Sequence, residues 1–258
     1  MSNRANRMSR LTLSVFILSM LLTAAGAKTI YVDDDAAGAN NGSSWANAYT
    51  FLQEALADAN LSEKPVEIRV AQGVHRPNGG LVAIPEFDRR TTTFQLINGV
   101  TLNGGYAGLA APDPNARDVQ LYETILSGDL NADDSQVLEL LDLLYEPTRA
   151  ENSYHVVTAI HADDTLVLDG FTITAGNANA PESANSNSYG AGLYNYQSNS
   201  IVVDCVFIGN SARWTGAGMY NGGSSPALTN CTFSRNAAGT RTGGHGGGMD
   251  SLGGTPIL

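Results

Sequence analysis

The sequence predicts an all-β fold in which the chain winds as a parallel β-helix, and three observations predict it. The last third of the chain is an internal repeat, its apolar residues fall at strand spacing, and its composition is unusual. Gly accounts for 28 of 258 residues and charged residues for 15%, against usual shares of about 7% and about 25%. This composition excludes a coiled coil or a helical bundle, and a hydrophobic content of 43% can supply a core.

The first element, residues 1–27, is predicted to be a signal peptide. Three arginines precede an apolar run at 11–22, and small residues ending at Ala27 follow at the spacing typical of a cleavage site. The alternative is a membrane anchor, but a bilayer requires roughly twenty apolar residues. We therefore expect an exported protein, extracellular or at the cell surface or outer membrane, with no transmembrane segment.

Residues 28–65 are predicted to form an N-terminal strand and a capping helix. Apolar residues recur at helical spacing in this region, at Ala48, Phe51, Leu52, Ala55, Leu56 and Ala59. An open stack of coils would expose strand edges and an apolar interior. We expect the helix to cover the first coil.

Residues 66–258 are predicted to form the coils. Residues 190–210 align without gaps on 216–236, with nine identities in 21 positions, and a third copy opens at 246. The copies differ in period only through the linkers between them. One face of the fold should therefore tolerate insertions.

Each copy predicts two short strands joined by a tight bend. Its apolar residues are spaced by three and then by two, as in Val202, Cys205, Phe207 and Leu228, Cys231, Phe233. One residue must therefore turn the chain while both strands keep pointing inward. Asp204 and Asn230 hold that position, as does Gly170 in an earlier coil, and these residue types tolerate a left-handed backbone. Stacking such coils about 4.8 Å apart buries the apolar face.

Two irregular regions complete the organisation. A helical pattern from Gln136 to Tyr145, stopped by Pro147, predicts a helical insertion near 134–146 that lies outside the wall. At the other end, Leu258 aligns with Leu228 inside a strand. We expect the last repeat to be incomplete and the solenoid to be truncated there.

Several motifs in the repeats resemble those of a known family. The GxG[LM]YN starts, the TNCTF strand, and the pairs Phe207-x-x-Asn210 and Phe233-x-x-Asn236 resemble the right-handed β-helix repeats of bacterial surface proteins, including the polymorphic outer membrane proteins. The Gly-Gly-Ala-aliphatic element of that family is altered here to Gly-Ala-Gly-Leu and similar forms. The opening segment 29–56 and the strand pattern also resemble the pectin-lyase-like superfamily. The resemblance implies a right-handed β-helix, a scaffold that carries lyases, hydrolases, adhesins and spacers alike.

The polar residues of the sequence match no complete catalytic motif. His245 lies in a Gly-His-Gly that is similar to one in β-helix polygalacturonases, but the paired Asp motifs and the Arg-x-Lys element of those enzymes are missing. We interpret His245 as the end of a linker. The acidic doublets 133–134 and 163–164 are interpreted as solvated turns.

The segment that begins at Asp33 resembles the start of a calcium-binding loop, with carboxylates at positions 1 and 3 (Asp33 and Asp35) and glycine at position 6 (Gly38). Ala37 and Ser44 stand where a key oxygen and the bidentate carboxylate belong. We therefore interpret the segment as a turn and predict no cofactor; Ca²⁺ enters only if the protein is a lyase.

The two cysteines, Cys205 and Cys231, are 26 residues apart at the same repeat position. In an exported protein a disulfide is one interpretation. Stacked β-carbons about 4.8 Å apart exceed the usual 3.5–4.5 Å of a disulfide. We therefore favour two thiols in an interior ladder.

Aromatic residues crowd the best repeats. Tyr194 and Tyr220 are equivalent and should form a structural stack. Trp214, alone in a linker, and Tyr196 are the candidates for carbohydrate contact, because aromatic faces can stack on sugar rings.

These features predict an exported, non-catalytic β-helix module that serves adhesion, glycan contact or spacing, with no catalytic residue assigned. Its partner would be a polysaccharide or a host or cell-surface glycan. The alternative is a polysaccharide lyase or related carbohydrate-active enzyme working by Ca²⁺-dependent β-elimination. A net charge of -11 argues against a nucleic-acid partner.

Overall fold

The computed structural model describes residues 27–79, 86–181, 185–239 and 246–258. Within these ranges the chain is mostly β, with one α-helix, α1 (Leu52–Leu61). The strands are β1 (Lys28–Val32), β2 (Val66–Ala71), β3 (Gly73–His75), β4 (Phe94–Gln95), β5 (Val100–Tyr106), β6 (Thr124–Ser127), β7 (Val157–Ile160), β8 (Val167–Asp169), β9 (Thr172–Thr174), β10 (Asn177–Ala178), β11 (Leu193–Tyr196), β12 (Ile201–Val203), β13 (Val206–Ile208), β14 (Ser211–Ala212), β15 (Met219–Gly222), β16 (Ala227–Thr229), β17 (Thr232–Ser234), β18 (Ala237–Ala238) and β19 (Met249–Leu252). Short 3-10 helices lie at Trp45–Asn47, Glu86–Thr91, Gly108–Ala110, Leu140–Leu144, Pro147–Arg149 and Asn185–Ser188.

The strands form four sheets in which neighbouring strands run parallel. Sheet A has the order β1-β2-β5-β8-β12-β16, sheet B β17-β13-β9-β6-β3, sheet C β19-β15-β11-β7-β4, and sheet D β10-β14-β18. In the regular coils the chain visits sheets A, B, D and C in turn, and each strand pairs with its equivalent one coil later. Stacked parallel sheets in this order fit a parallel β-solenoid, as the repeat predicted.

The strand register confirms the alignment of the repeats. Leu193 pairs with Met219 and Phe207 with Phe233, each 26 residues later. The third copy continues the series, since Met219 pairs with Met249. The rings of Phe207 and Phe233 lie 4.8 Å apart at 5° to each other. The predicted apolar residues therefore stack coil upon coil in one core.

The bends between sheets A and B have the predicted left-handed backbone. The φ angles of Gly170, Asp204 and Asn230 are 82°, 48° and 52°. The side chain of Asn230 donates a hydrogen bond to Asp204 Oδ1 at 3.0 Å. Polar side chains at this position can therefore both adopt the turn and link successive coils.

The Asn of the Phe-x-x-Asn motif satisfies backbone groups inside the wall. Asn210 is fully buried and donates from Nδ2 to Ile173 O and to Asn236 Oδ1, both at 3.0 Å. Its Oδ1 accepts a hydrogen bond from Gly176 N at 3.0 Å. A buried amide needs such partners, because a buried polar group left unpaired costs free energy.

Helix α1 packs one apolar face against strands β1, β2 and β4. That face buries Leu52, Ala55, Leu56 and Ala59. The helix therefore shares the core with the first coils. Within the part of the chain that the structure describes, no helix is both long enough and apolar enough to span a bilayer.

The helical segment predicted from Gln136 to Tyr145 is shorter in the structure, and it is not an α-helix. The segment contains only the 3-10 helix Leu140–Leu144, which packs against β14 and β18. Arg235 Nη2 donates to the carbonyl oxygens of Val137 and Leu138, at 2.9 and 2.8 Å. These two carbonyls therefore bond to a residue of a later coil and not to the amides of an α-helix.

The two cysteines occupy equivalent positions of successive coils and are free thiols. Cys205 is fully buried, and Cys231 packs against the same core. Each sulfur faces a backbone carbonyl, Leu168 O at 3.7 Å and Val202 O at 3.5 Å. Burial raises the pKa of both thiols.

Candidate functional site

Five aromatic rings form a continuous series beside sheet C of the regular coils, which we call the aromatic ladder; its middle ring, Tyr220, is buried at 8% exposure. Trp214 stacks on Tyr189 at 6.3 Å between ring centroids, and Tyr189 contacts Tyr220 at 4.9 Å. Tyr220 stacks on Tyr194 at 5.8 Å, and Tyr194 stacks on Tyr196 at 6.0 Å. The ladder therefore joins neighbouring coils of sheet C to two linkers.

The alternation of side chains in β11 places Tyr194 and Tyr196 on the outer face of sheet C. Leu193 and Asn195 are fully buried, whereas Tyr196 is 38% exposed, because successive residues of a strand point to opposite faces. Tyr194 lies beside Tyr220 because the two residues are register partners in β11 and β15. The stack predicted for this pair is confirmed.

Gly222 leaves the space that Tyr196 occupies. The two residues are register partners, and a β-carbon at Gly222 would lie 2.8 Å from Tyr196 Cδ2 and 3.0 Å from Tyr220 Cε1. Such distances are shorter than a normal contact. A larger residue at this position would displace one of the two rings.

The ladder carries no charge at neutral pH. Burial raises the pKa of Tyr194 to about 12, so its phenol stays protonated. His155 lies 4.9 Å from the Tyr194 ring, and its Nδ1 lies 3.0 Å from Gly190 O. Burial lowers the pKa of His155, so its imidazole stays neutral. An uncharged aromatic surface can cover the apolar C–H faces of sugar rings.

Of the two residues predicted for carbohydrate contact, Tyr196 lies at one end of the ladder and Trp214 at the other. Trp214, which the sequence singled out as the best exposed candidate, is less exposed than expected. Its ring is partly buried and stacks at 19° on Tyr189. No repeat or motif predicts this contact, because both residues lie outside the aligned repeats.

The acidic doublets behave differently from each other. Asp163 and Asp164 are exposed, as expected of a solvated turn, and hydrogen bonds from Thr165 lower the pKa of Asp163. Asp134 is instead partly buried, so the interpretation of a solvated turn is wrong there. Its Oδ2 lies 3.2 Å from Arg149 Nη1, and burial raises the pKa of Asp134 to about 6.

Arg149 anchors the non-repeating segment to the wall. Its side chain is 5% exposed, and Nη2 donates to Gly176 O and Gly209 O, both at 3.0 Å. Together with Asp134 and Arg235 it lines an open cavity of about 300 Å³. Sequence reasoning missed this network because no repeat or motif marks Arg149.

Two groups of carboxylates could hold a cation among the described residues. In one, carboxylate oxygens of Asp129, Asp133 and Glu151 lie within 4.8 Å of one another. Burial and the neighbouring carboxylates raise the pKa of Glu151. Carboxylate oxygens are the ligands that Ca²⁺ prefers.

The other group is Asp33, Asp34 and Asp35, where the sequence imitates a calcium loop. Asp33 is buried, and its two carboxylate oxygens accept hydrogen bonds from the amides of Asp35 at 3.0 Å and Leu109 at 2.7 Å. A β-carbon at Gly38 would collide with the Ala46 carbonyl. Asp33 and Gly38 thus have structural roles in a turn.

His245 lies outside the described residues, and the interpretation of it as a linker residue stays a prediction. Comparison of the chain with protein-family models, with curated proteins and with solved structures gives no match. The resemblance to the polymorphic outer membrane protein repeats and to the pectin-lyase-like superfamily therefore rests on the sequence motifs.

Proposed function

We propose that this protein is an exported, non-catalytic module that contacts glycans through the aromatic ladder. In this proposal the solenoid is a right-handed β-helix, α1 caps its first coil, and the protein works outside the cell or at its surface. The observation that carries the proposal is the continuous series of five rings from Trp214 to Tyr196. The predicted signal peptide supports the location.

The ladder suits a glycan for two reasons. Its rings are uncharged, and Tyr196 at one end is 38% exposed. A sugar offers apolar C–H faces that an aromatic ring can cover, with hydroxyl groups left at the edges for water. The wall beneath the ladder is rigid, since each strand of sheet C pairs with a neighbour, so little ordering free energy is lost on binding.

Affinity electrophoresis through a panel of soluble polysaccharides tests this proposal. We expect the protein to be retarded by at least one of them, and the Tyr196→Ala and Trp214→Ala variants to bind about 2- to 10-fold more weakly, as a stacked ring contributes about 0.5–1.5 kcal/mol. Tyr145→Ala is the matched control, because Tyr145 is 81% exposed and outside the ladder. Equal weakening by the control, or no retardation on the whole panel, refutes the proposal.

The second candidate is a polysaccharide lyase, favoured by the cluster of Asp129, Asp133 and Glu151. A lyase of this kind uses Ca²⁺ to hold an anionic polymer and a basic residue to take a proton. The three carboxylates would hold the ion, and Arg149 and Arg235 are the nearby cations of the cavity. Release of ultraviolet-absorbing unsaturated uronates that requires Ca²⁺ and is lost in Glu151→Gln would establish this candidate and displace the first.

A further inference from the structure

An exposed apolar patch lies on the non-repeating segment outside sheet D. We call it the leucine patch: Leu138, Leu140, Leu141 and Tyr145, which are 76%, 42%, 58% and 81% exposed. Single exposed apolar residues are ordinary, but soluble proteins seldom expose several large ones together unless that surface binds something. Because four exposed apolar side chains lie within eight consecutive residues, we interpret the leucine patch as a binding surface.

The fold holds this patch in place. Leu143, in the middle of the segment, is buried against the wall at 6% exposure. Arg235 Nη2 binds the carbonyls of Val137 and Leu138, and the buried Arg149 fixes the far end of the segment. The leucines are thus presented on an anchored segment, and a partner would not have to order a free loop to bind them.

The charged side chains within the patch segment are all acidic, and the exposed Arg235, which bonds to its backbone, adds one positive charge at its edge. Glu139 and Asp142 are exposed between the leucines, and Asp133 is exposed just before them. No Lys, Arg or His occurs in the sequence between Arg117 and Arg149. The patch therefore has an apolar centre and a mainly acidic rim, which suits a partner whose rim is mainly basic.

We propose that the leucine patch docks an apolar, positively charged face of another protein. Charge argues against a second copy of this chain, which would bring the same acidic rim and a net charge of -11. It also argues against an anionic lipid surface, which would repel the carboxylates. This surface is separate from the aromatic ladder, and the proposal does not depend on glycan binding.

A fluorescent amphipathic peptide with Leu on one helical face and Lys on the other is the probe, measured by anisotropy at physiological salt. Its control is a peptide of the same composition in scrambled order. We expect the wild-type protein to prefer the amphipathic peptide, and Leu138→Ser/Leu141→Ser to weaken that binding at least tenfold. Leu121→Ser is the matched control, because Leu121 is 66% exposed outside the patch. Equal binding of both peptides, or equal loss in the control, overturns the proposal.

A second variant and two further measurements complete the test. Glu139→Lys/Asp142→Lys leaves the leucines in place and should also weaken binding, since it reverses part of the rim. Circular dichroism checks that each variant is folded. Sedimentation that shows a dimer lost in the leucine variant, or flotation with phosphatidylcholine vesicles that depends on the same leucines, would assign the patch to a second copy or to lipid and overturn the proposal.

Discussion

Replacing Asp134 by Asn should change how the stability of the protein depends on pH. The carboxylate of Asp134 meets Arg149 at 3.2 Å, but its side chain is only 16% exposed. The loss of hydration outweighs the attraction of the arginine, so burial raises the pKa from 3.8 to about 6. The folded state therefore favours the neutral carboxylic acid, which Asn resembles in shape and charge.

The sign and size follow from linkage between folding and protonation. A carboxyl whose pKa is raised on folding contributes stability that is fully present below about pH 4, its unfolded pKa, and is lost as pH rises through about 6. Each pKa unit corresponds to about 1.36 kcal/mol, so the upper limit is about 3 kcal/mol. Because the side chain keeps some contact with water, we expect about 2 kcal/mol.

Urea unfolding of the wild type and of Asp134→Asn, followed by tryptophan fluorescence between about pH 4 and pH 8, measures this effect. The free energy of unfolding of the variant minus that of the wild type should increase by about 2 kcal/mol as pH rises through about 6. Burial also lowers the pKa of His75 and of His155, so both make stability depend on pH. Because both proteins contain these histidines, their contributions cancel in the difference. A difference that is flat with pH, or one that moves in favour of the wild type as pH rises, would show that the attraction of Arg149 outweighs the loss of hydration.

Three further predictions concern the core, the ladder and the thiols. Phe207→Ala removes a fully buried ring and should lower the free energy of unfolding by about 3–5 kcal/mol, as measured by urea unfolding; a loss below about 1 kcal/mol would contradict the stacked core. Gly222→Ala should weaken polysaccharide retardation as much as Tyr196→Ala does, because the new β-carbon would lie 2.8 Å from the Tyr196 ring and displace it. Unchanged retardation would show that the position of the Tyr196 ring does not affect binding. Cys205 should react with a thiol reagent only at the rate of unfolding, since its thiol is fully buried and burial raises its pKa; rapid modification of the folded protein would contradict this.

The repeating part of the fold was predictable because the same physical demands recur there. Every copy must turn the chain and bury the same face, so aligned residues such as Asp204 and Asn230 share one backbone conformation. Tyr194 and Tyr220 likewise meet because their strands share a register. In the regular coils, residues at equivalent positions of the sequence repeat are therefore neighbours in the structure.

The candidate sites were less predictable because they depend on segments that do not repeat. Asp134 and Arg149 are 15 residues apart and pair across a segment whose course no periodicity sets. Where an α-helix was predicted, the segment bonds to Arg235, a residue 97 positions beyond Leu138. Local propensity cannot foresee a partner so distant in sequence.

The uniform 26-residue register between β11–β14 and β15–β18 has a consequence for how such a chain can change length. Removing or duplicating one whole coil would join two surfaces of the same outline, with a phenylalanine above a phenylalanine and an amide above an amide. Losing a single residue inside a coil would instead turn buried groups outward and leave the amide of Asn210 without its neighbours. Gene variation should therefore alter the number of coils far more readily than the shape of any one of them.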